Sequence, residues 1–127
     1  MKYYLILFCF FYFSACNSQQ PDNKLAFQTD TLKTYYSNGN IKSEEIVNNG
    51  LKNGFSTYYN EDGSIYQSKC YLNDTLNGKV FNYRNGNILS EANFKSGKLD
   101  GYYLIFENSD TIRQLQYKNG TLIHPSR

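Results

Sequence analysis

Tryptophan is absent from this chain, histidine and methionine occur once each, and cysteine only three times. The single histidine, His124, stands near the C-terminus, so no paired His or Cys spacing exists to hold a metal, and no nucleophile has a histidine base close by in sequence. Charge of one sign is also missing. Thirteen Lys and Arg against eleven Asp and Glu give +2, too even a balance to argue for a nucleic-acid groove or an acidic substrate. What the chain has in quantity is Tyr (13) and Phe (9), residues that suit thin sheets whose faces are half wet. Its 127 residues leave room for one domain.

The first residues read as a targeting segment. Met1-Lys2 is a short positive start, Tyr3 to Phe13 an apolar run, and Ser14-Ala15 are small residues before Cys16. The run falls well short of the roughly 20 apolar residues that a membrane-spanning helix needs. Phe13-Ser14-Ala15-Cys16 resembles a lipobox, with Phe13 in place of the usual aliphatic residue. That resemblance implies cleavage before Cys16, a lipid on its sulfur and an acyl chain on its amine, and several chains give stable anchoring. Cys9 would then be removed and Cys16 lipidated, so Cys70 is expected to stand alone as a small strand residue. Loss of residues 1–15 leaves twelve basic and eleven acidic residues, or +1. Residues 16–32 are expected to form a flexible tether, with a maximum reach of about 60 Å and an average span of about 20 to 25 Å.

From Lys33 onward the glycines recur on a schedule. Gly39, Gly63 and Gly86 are 24 and 23 residues apart, and so are Gly54, Gly78 and Gly101. Four copies result, within residues 33–124. Eight of the nine glycines follow Asn or Asp, and such dipeptides tolerate the positive φ angles of tight hairpin turns. Gly39, Gly54, Gly63, Gly78, Gly86 and Gly101 are therefore assigned to turns. Aromatic first strands align as Thr34-Tyr35-Tyr36, Thr57-Tyr58-Tyr59, Phe81-Asn82-Tyr83 and Leu104-Ile105-Phe106. Second strands hold Ile41 with Val47, Ile65 with Tyr71, Ile88 with Phe94 and Thr111 with Tyr117, and regular alternation places each pair on one face. On this alignment copy two carries one extra residue in its turn.

The aromatic-turn segments Tyr35-Tyr36-Ser37-Asn38-Gly39-Asn40-Ile41, Tyr58-Tyr59-Asn60-Glu61-Asp62-Gly63-Ser64-Ile65 and Tyr83-Arg84-Asn85-Gly86-Asn87-Ile88, with the closing segments Asn49-Gly50-Leu51-Lys52-Asn53-Gly54 and Ser96-Gly97-Lys98-Leu99-Asp100-Gly101, resemble the variant class of MORN repeats. The resemblance covers roughly residues 33–124. It implies an all-β fold, a single elongated antiparallel sheet of about four stacked hairpins of 22–24 residues, each neighbour burying part of the next. Copy four, with Ser109 and His124 where glycines are expected, reads as a terminal cap before a tail at 125–127.

These observations point to a non-enzymatic repeat protein anchored in a bacterial envelope by its N-terminal lipid, acting as a protein-interaction or structural module, with no nucleic-acid partner. No catalytic residue, metal ligand or cofactor is assigned. Glu44, Glu45, Glu91 and Asp100 are read as solvated carboxylates, and no glycine loop of the phosphate-binding kind is present. The candidate binding surface is Tyr35, Tyr58 and Tyr103, out of phase with Tyr36, Tyr59 and Phe106; the partner is an unspecified protein or envelope component. The alternative is an antitoxin-like inhibitor of a partner toxin, because automatic naming labels some bacterial proteins with this repeat so. An enzyme is the least favoured class.

Overall fold

Among the described residues every strand pairs with its neighbours in sequence. The computed structural model describes residues 29–125. In it β1 (Thr29–Tyr35), β2 (Ile41–Asn48), β3 (Leu51–Tyr59), β4 (Ile65–Leu72), β5 (Thr75–Arg84), β6 (Asn87–Lys95), β7 (Lys98–Glu107), β8 (Asp110–Lys118) and β9 (Thr121–Pro125) form one open antiparallel sheet in chain order. The all-β repeat architecture is therefore as expected. The sheet starts earlier than the sequence suggested: Thr29–Leu32, assigned to the tether, pair with Glu45 to Asn48.

The turns explain the short connections. Asn49-Gly50, Asn73-Asp74, Asn85-Gly86, Ser96-Gly97, Asn108-Ser109 and Asn119-Gly120 are two-residue turns. Their first residues have φ between 47° and 51° and their second between 63° and 83°, the doubly left-handed conformation that matches strand twist. Asp74 and Ser109 hold this conformation without glycine. The β1–β2 and β3–β4 loops are wider. Tyr36 N–H donates to Asn40 O at 2.8 Å, and Asn60 N–H to Ser64 O at 2.8 Å. The sheet thus has an upper end, bearing these two loops and the β5–β6 and β7–β8 turns, and a lower end with the other four turns.

Three glycines assigned to turns are not in turns. Gly54, Gly78 and Gly101 lie inside β3, β5 and β7 with φ of 125°, 117° and 117°. Each sits where the register slips against the preceding strand: between Glu45 and Val47, Lys69 and Tyr71, Ala92 and Phe94. A Cβ at Gly101 would meet Asn93 Cβ at 3.2 Å, so backbone angle and close approach both select glycine. Gly39, Gly63 and Gly86 do occupy turns.

The Asn or Asp before each of Gly54, Gly78 and Gly101 ties its repeat to the next hairpin. Ser96 N–H donates to Asn77 Oδ1 at 3.2 Å, Asn119 N–H to Asp100 Oδ2 at 3.2 Å, and Asn53 Nδ2 to Asn73 Oδ1 at 3.2 Å. Backbone bonds reinforce the pattern, from Asp74 N to Lys52 O, Gly97 N to Leu76 O and Gly120 N to Leu99 O at 3.0, 2.8 and 2.7 Å. The β4–β5, β6–β7 and β8–β9 turns are thereby each docked on the strand that precedes their hairpin.

A second set of bulges falls at the upper end. Thr34 pairs with Ser43 but Tyr35 with Ile41, and the same slip recurs at Tyr58/Tyr59, Asn82/Tyr83 and Ile105/Phe106. The inserted residues are Lys42, Tyr66, Leu89 and Ile112. Because neighbours on an odd strand face opposite ways, their partners Ile41 and Ser43 do too. Ile41 and Val47 are consequently on opposite faces, as are Ile65 and Tyr71, contrary to the regular alternation expected.

The bulges also correct the alignment of the copies. Tyr35↔Ile41 and Tyr59↔Ile65 each enclose five residues, whereas Tyr83↔Ile88 enclose four. Copies one and two are equal in length and copy three is shorter. Tyr35 is therefore equivalent to Tyr59, Tyr83 and Phe106, and Thr34 to Tyr58, Asn82 and Ile105.

With one layer, the buried residues are small. Ser43, Val47, Ser56, Val80, Ser90 and Ala92 are buried on what we term the front face, screened by longer neighbours on adjacent strands. Cys70, opposite Phe55 on the back, is fully buried. It is also disulfide-bonded, whereas a lone thiol was expected after processing removed its possible partners. Cys9 and Cys16 lie outside the described residues.

Candidate interaction surface

On the front face the residues directly opposite one another form continuous cross-strand rows. One row runs Leu32, Glu45, Ser56, Lys69, Val80, Ala92, Tyr103, Leu115, and the row above it Thr34, Ser43, Tyr58, Gln67, Asn82, Ser90, Ile105, Arg113. The upper row is a polar ladder. Thr34 and Ser43 hydroxyls are bonded at 2.7 Å, Gln67 Nε2 donates to Asn82 Oδ1 at 2.7 Å, and Asn82 Nδ2 to Ser90 Oγ at 2.9 Å.

Glu45 organises the second repeat's part of this face. Its Oε1 accepts from Lys52 Nζ at 2.9 Å and from Tyr58 OH at 3.2 Å. Lys52 lies 5.3 Å from the Tyr71 ring centroid and Lys69 5.2 Å from that of Tyr58, close enough for cation–π attraction. Burial, then hydrogen bonding with Tyr71, holds the Tyr58 phenol well above its ordinary ionisation range, so it stays neutral.

The back face carries a matching row: Lys33, Glu44, Thr57, Ser68, Phe81, Glu91, Leu104 and Gln114. Lys33 pairs with Glu44 at 2.7 Å and Lys79 with Glu91 at 2.6 Å. The Lys33 hydrogen bond, then the one from Tyr59, holds Glu44 below the usual carboxylate range. Burial and Glu44 push Tyr59 up to about 12. At the lower end, Lys118 and the Asn119 amide lower Asp100. Each of the four carboxylates read as solvated thus has a lysine partner, and Glu44 and Glu45 point to opposite faces. Among the described residues no group of three or more His, Cys, Asp or Glu could hold a metal.

The three tyrosines chosen from sequence do not make one surface. Tyr35 is 59 % exposed on edge strand β1, but its register equivalence with Tyr59 puts it on the back. Tyr58 and Tyr103 are on the front, half-buried in the rows just described. Pairing Tyr35 with Tyr58 followed the Tyr-Tyr dipeptides, and the equal closures Tyr35↔Ile41 and Tyr59↔Ile65 shift that match by one residue. Cys16, the proposed lipidation site, lies outside the described residues.

Exposed apolar residues occur at both ends of the sheet, Leu51, Leu72 and Leu122 beside the lower turns and Ile65, Tyr66, Ile88 and Ile112 toward the upper end. Between the β5–β6 and β7–β8 turns Ile88 and Ile112 border a groove of ≈ 330 Å³, lined also by Leu89, Ile105 and Phe106, with Arg84 and Glu107 at its rim. The signal available in sequence was the isoleucine recurring at the start of the second strands; the bulge that turns Leu89 and Ile112 toward this groove carries no residue signature. Comparison of the chain with protein-family models, curated proteins and solved structures gave no match.

Proposed function

We propose that this protein is a non-enzymatic interaction module of the cell envelope, anchored in its processed form through a lipid on Cys16, a form in which the Cys70 disulfide is not made, and presenting the upper end of its sheet to a protein partner. The observation that carries the reading is the apolar groove walled by Ile88, Leu89, Ile105 and Ile112 at the upper end of a sheet that, among the described residues, has no second layer. Apolar residues clustered in the open, with polar neighbours around them, mark contact surfaces more often than chance exposure does. Rigid strands stapled repeat to repeat give that surface a fixed shape, which lowers the entropic cost of binding. The lipobox-like Phe13-Ser14-Ala15-Cys16 supports anchoring, and the recurring hairpins support the kinship with MORN-type repeats.

The test combines metabolic lipid labelling of the wild type and Cys16→Ala with affinity purification of the anchored protein from its native envelope. Label lost in the variant, together with a reproducible co-purifying protein that rebinds the purified chain, is the expected result. An unlabelled soluble wild type would sink the anchoring. Failure to recover any rebinding partner would sink the module.

A further inference from the structure

Repeat equivalence sets the upper groove against the same place in the earlier repeats. In the first two repeats the corresponding place is occupied by the chain itself. Tyr36 closes the β1–β2 loop and donates its hydroxyl to Tyr59 O at 2.6 Å, Lys42 lies 5.7 Å from its ring centroid, and the rings of Tyr58 and Tyr66 meet at 6.3 Å with a 44° tilt. In the last two repeats those positions are held by Arg84, Leu89, Ile105 and Ile112, as the hairpin closures and bulge registers establish. Two aromatic rings have become isoleucines, the tyrosine has become an arginine, and the groove lies where they were.

The rim adds a charge pattern. Arg84 ends β5 and Glu107 ends β7, two strands apart, or about 10 Å. Neither makes an ion pair among the described residues, and both are exposed. Opposite charges on the two walls of an apolar groove complement an extended segment carrying an acid and a base on either side of its apolar anchor.

We infer that this groove binds a tyrosine side chain of a partner protein, flanked by one acidic and one basic residue, with the ring replacing those missing from these repeats and its hydroxyl directed at the Phe106 carbonyl as Tyr36 is at that of Tyr59. The inference rests on the interaction-module reading and names its site. Arg84 meets the acidic flank and Glu107 the basic one. The remaining strands orient the segment across the upper row.

The probe is the peptide acetyl-Asp-Tyr-Lys-amide, titrated into the full chain in detergent micelles while the isoleucine methyl resonances are followed by NMR. Saturable shifts at Ile88, Ile105 and Ile112, half-complete at about millimolar peptide, are expected for a ligand of this size. Acetyl-Asp-Ala-Lys-amide should give none, and acetyl-Ser-Tyr-Ser-amide should bind about two- to fivefold more weakly. The double substitution Arg84→Tyr with Ile112→Tyr restores the residues of the first repeats at two exposed positions and should abolish the shifts while the fold, read from the remaining methyl spectrum, persists. Absence of saturable shifts, equal response to the alanine peptide, or undiminished binding by the filled variant would each overturn the inference. An envelope partner recovered equally well by the filled variant would also overturn it while leaving the module reading in place; no partner with either protein would remove the module reading itself.

Discussion

Tyr59 donates its hydroxyl to Glu44 Oε2 at 2.7 Å while Lys33 holds the other oxygen of the same carboxylate at 2.7 Å. Three strands are thereby joined across the back face by one side chain. The arrangement ties the first repeat to the second. It also makes the pair of repeats responsive to pH at both ends of the scale.

Glu44 is held below its ordinary value by Lys33 and then Tyr59, so its contribution to stability is present above the usual glutamate range and lost as pH falls through its folded value. Lys33 is raised by Glu44 from 10.5, so its contribution is present below that value and lost above it. Tyr59, raised from 10 to about 12, likewise favours the folded state below pH 10, an effect lost as pH climbs through 12. Thermal melts of Glu44→Gln should show a flatter acid limb than the wild type below pH 5, and tyrosinate absorbance should show a late phase near pH 12 that Tyr59→Phe removes. A variant with an unchanged acid limb would mean that this carboxylate is solvated as an isolated group.

The staples at the lower end make a local prediction. Asn77→Ala removes the acceptor of the Ser96 amide and should cost about 0.5–1.5 kcal/mol in denaturant unfolding. Hydrogen exchange at Ser96 should accelerate far more than at Asn119, whose acceptor Asp100 is untouched. Uniform acceleration at both amides would show that the turn is held by its own geometry and not by the strand beneath it.

The corrected phasing of the tyrosines can be checked by single substitutions. Tyr58→Ser deletes a ring wedged between Tyr66 and Lys69 and a donor to Glu45, and should destabilise by about 1–3 kcal/mol. Tyr35→Ser, at an exposed edge position, should stay within about 0.5 kcal/mol. Equal effects would restore the view that the two residues are equivalent. Urea unfolding of the purified chain distinguishes the cases.

The β class, the period and the two-residue turns were legible in the sequence because each is encoded locally. Asn-Gly at 49–50, 85–86 and 119–120 adopts the turn its dipeptide favours. The same dipeptide at 53–54 and 77–78 does not, since there the asparagine side chain bonds a neighbouring turn and the glycine accommodates a bulge. Nothing in the dipeptide distinguishes the two uses; only the partner strand does. The upper bulges were invisible for a related reason. Lys42, Tyr66, Leu89 and Ile112 share no chemistry, yet the one-residue insertion each makes reverses which face its strand presents. Tyr35 and Tyr58, each the first of a Tyr-Tyr dipeptide, part company because equal hairpin closures make Tyr35 equivalent to Tyr59. The groove depends on what tyrosines are missing from later repeats, and an absence shows only once equivalent positions are superposed.

The final strand ends the pattern. At the positions held in β7 by Asp100 and Gly101, the staple and the bulge, β9 has Ile123 and His124, and Pro125 then follows with no amide hydrogen to offer. The side where another hairpin would attach lacks the parts every earlier junction uses, while the junctions within the sheet are interchangeable in kind. Duplication of an internal repeat would therefore lengthen the protein by two strands, about 10 Å, and leave both termini as they are. The length of the sheet is thereby a quantity that inheritance can adjust in discrete steps without redesigning either of its edge strands.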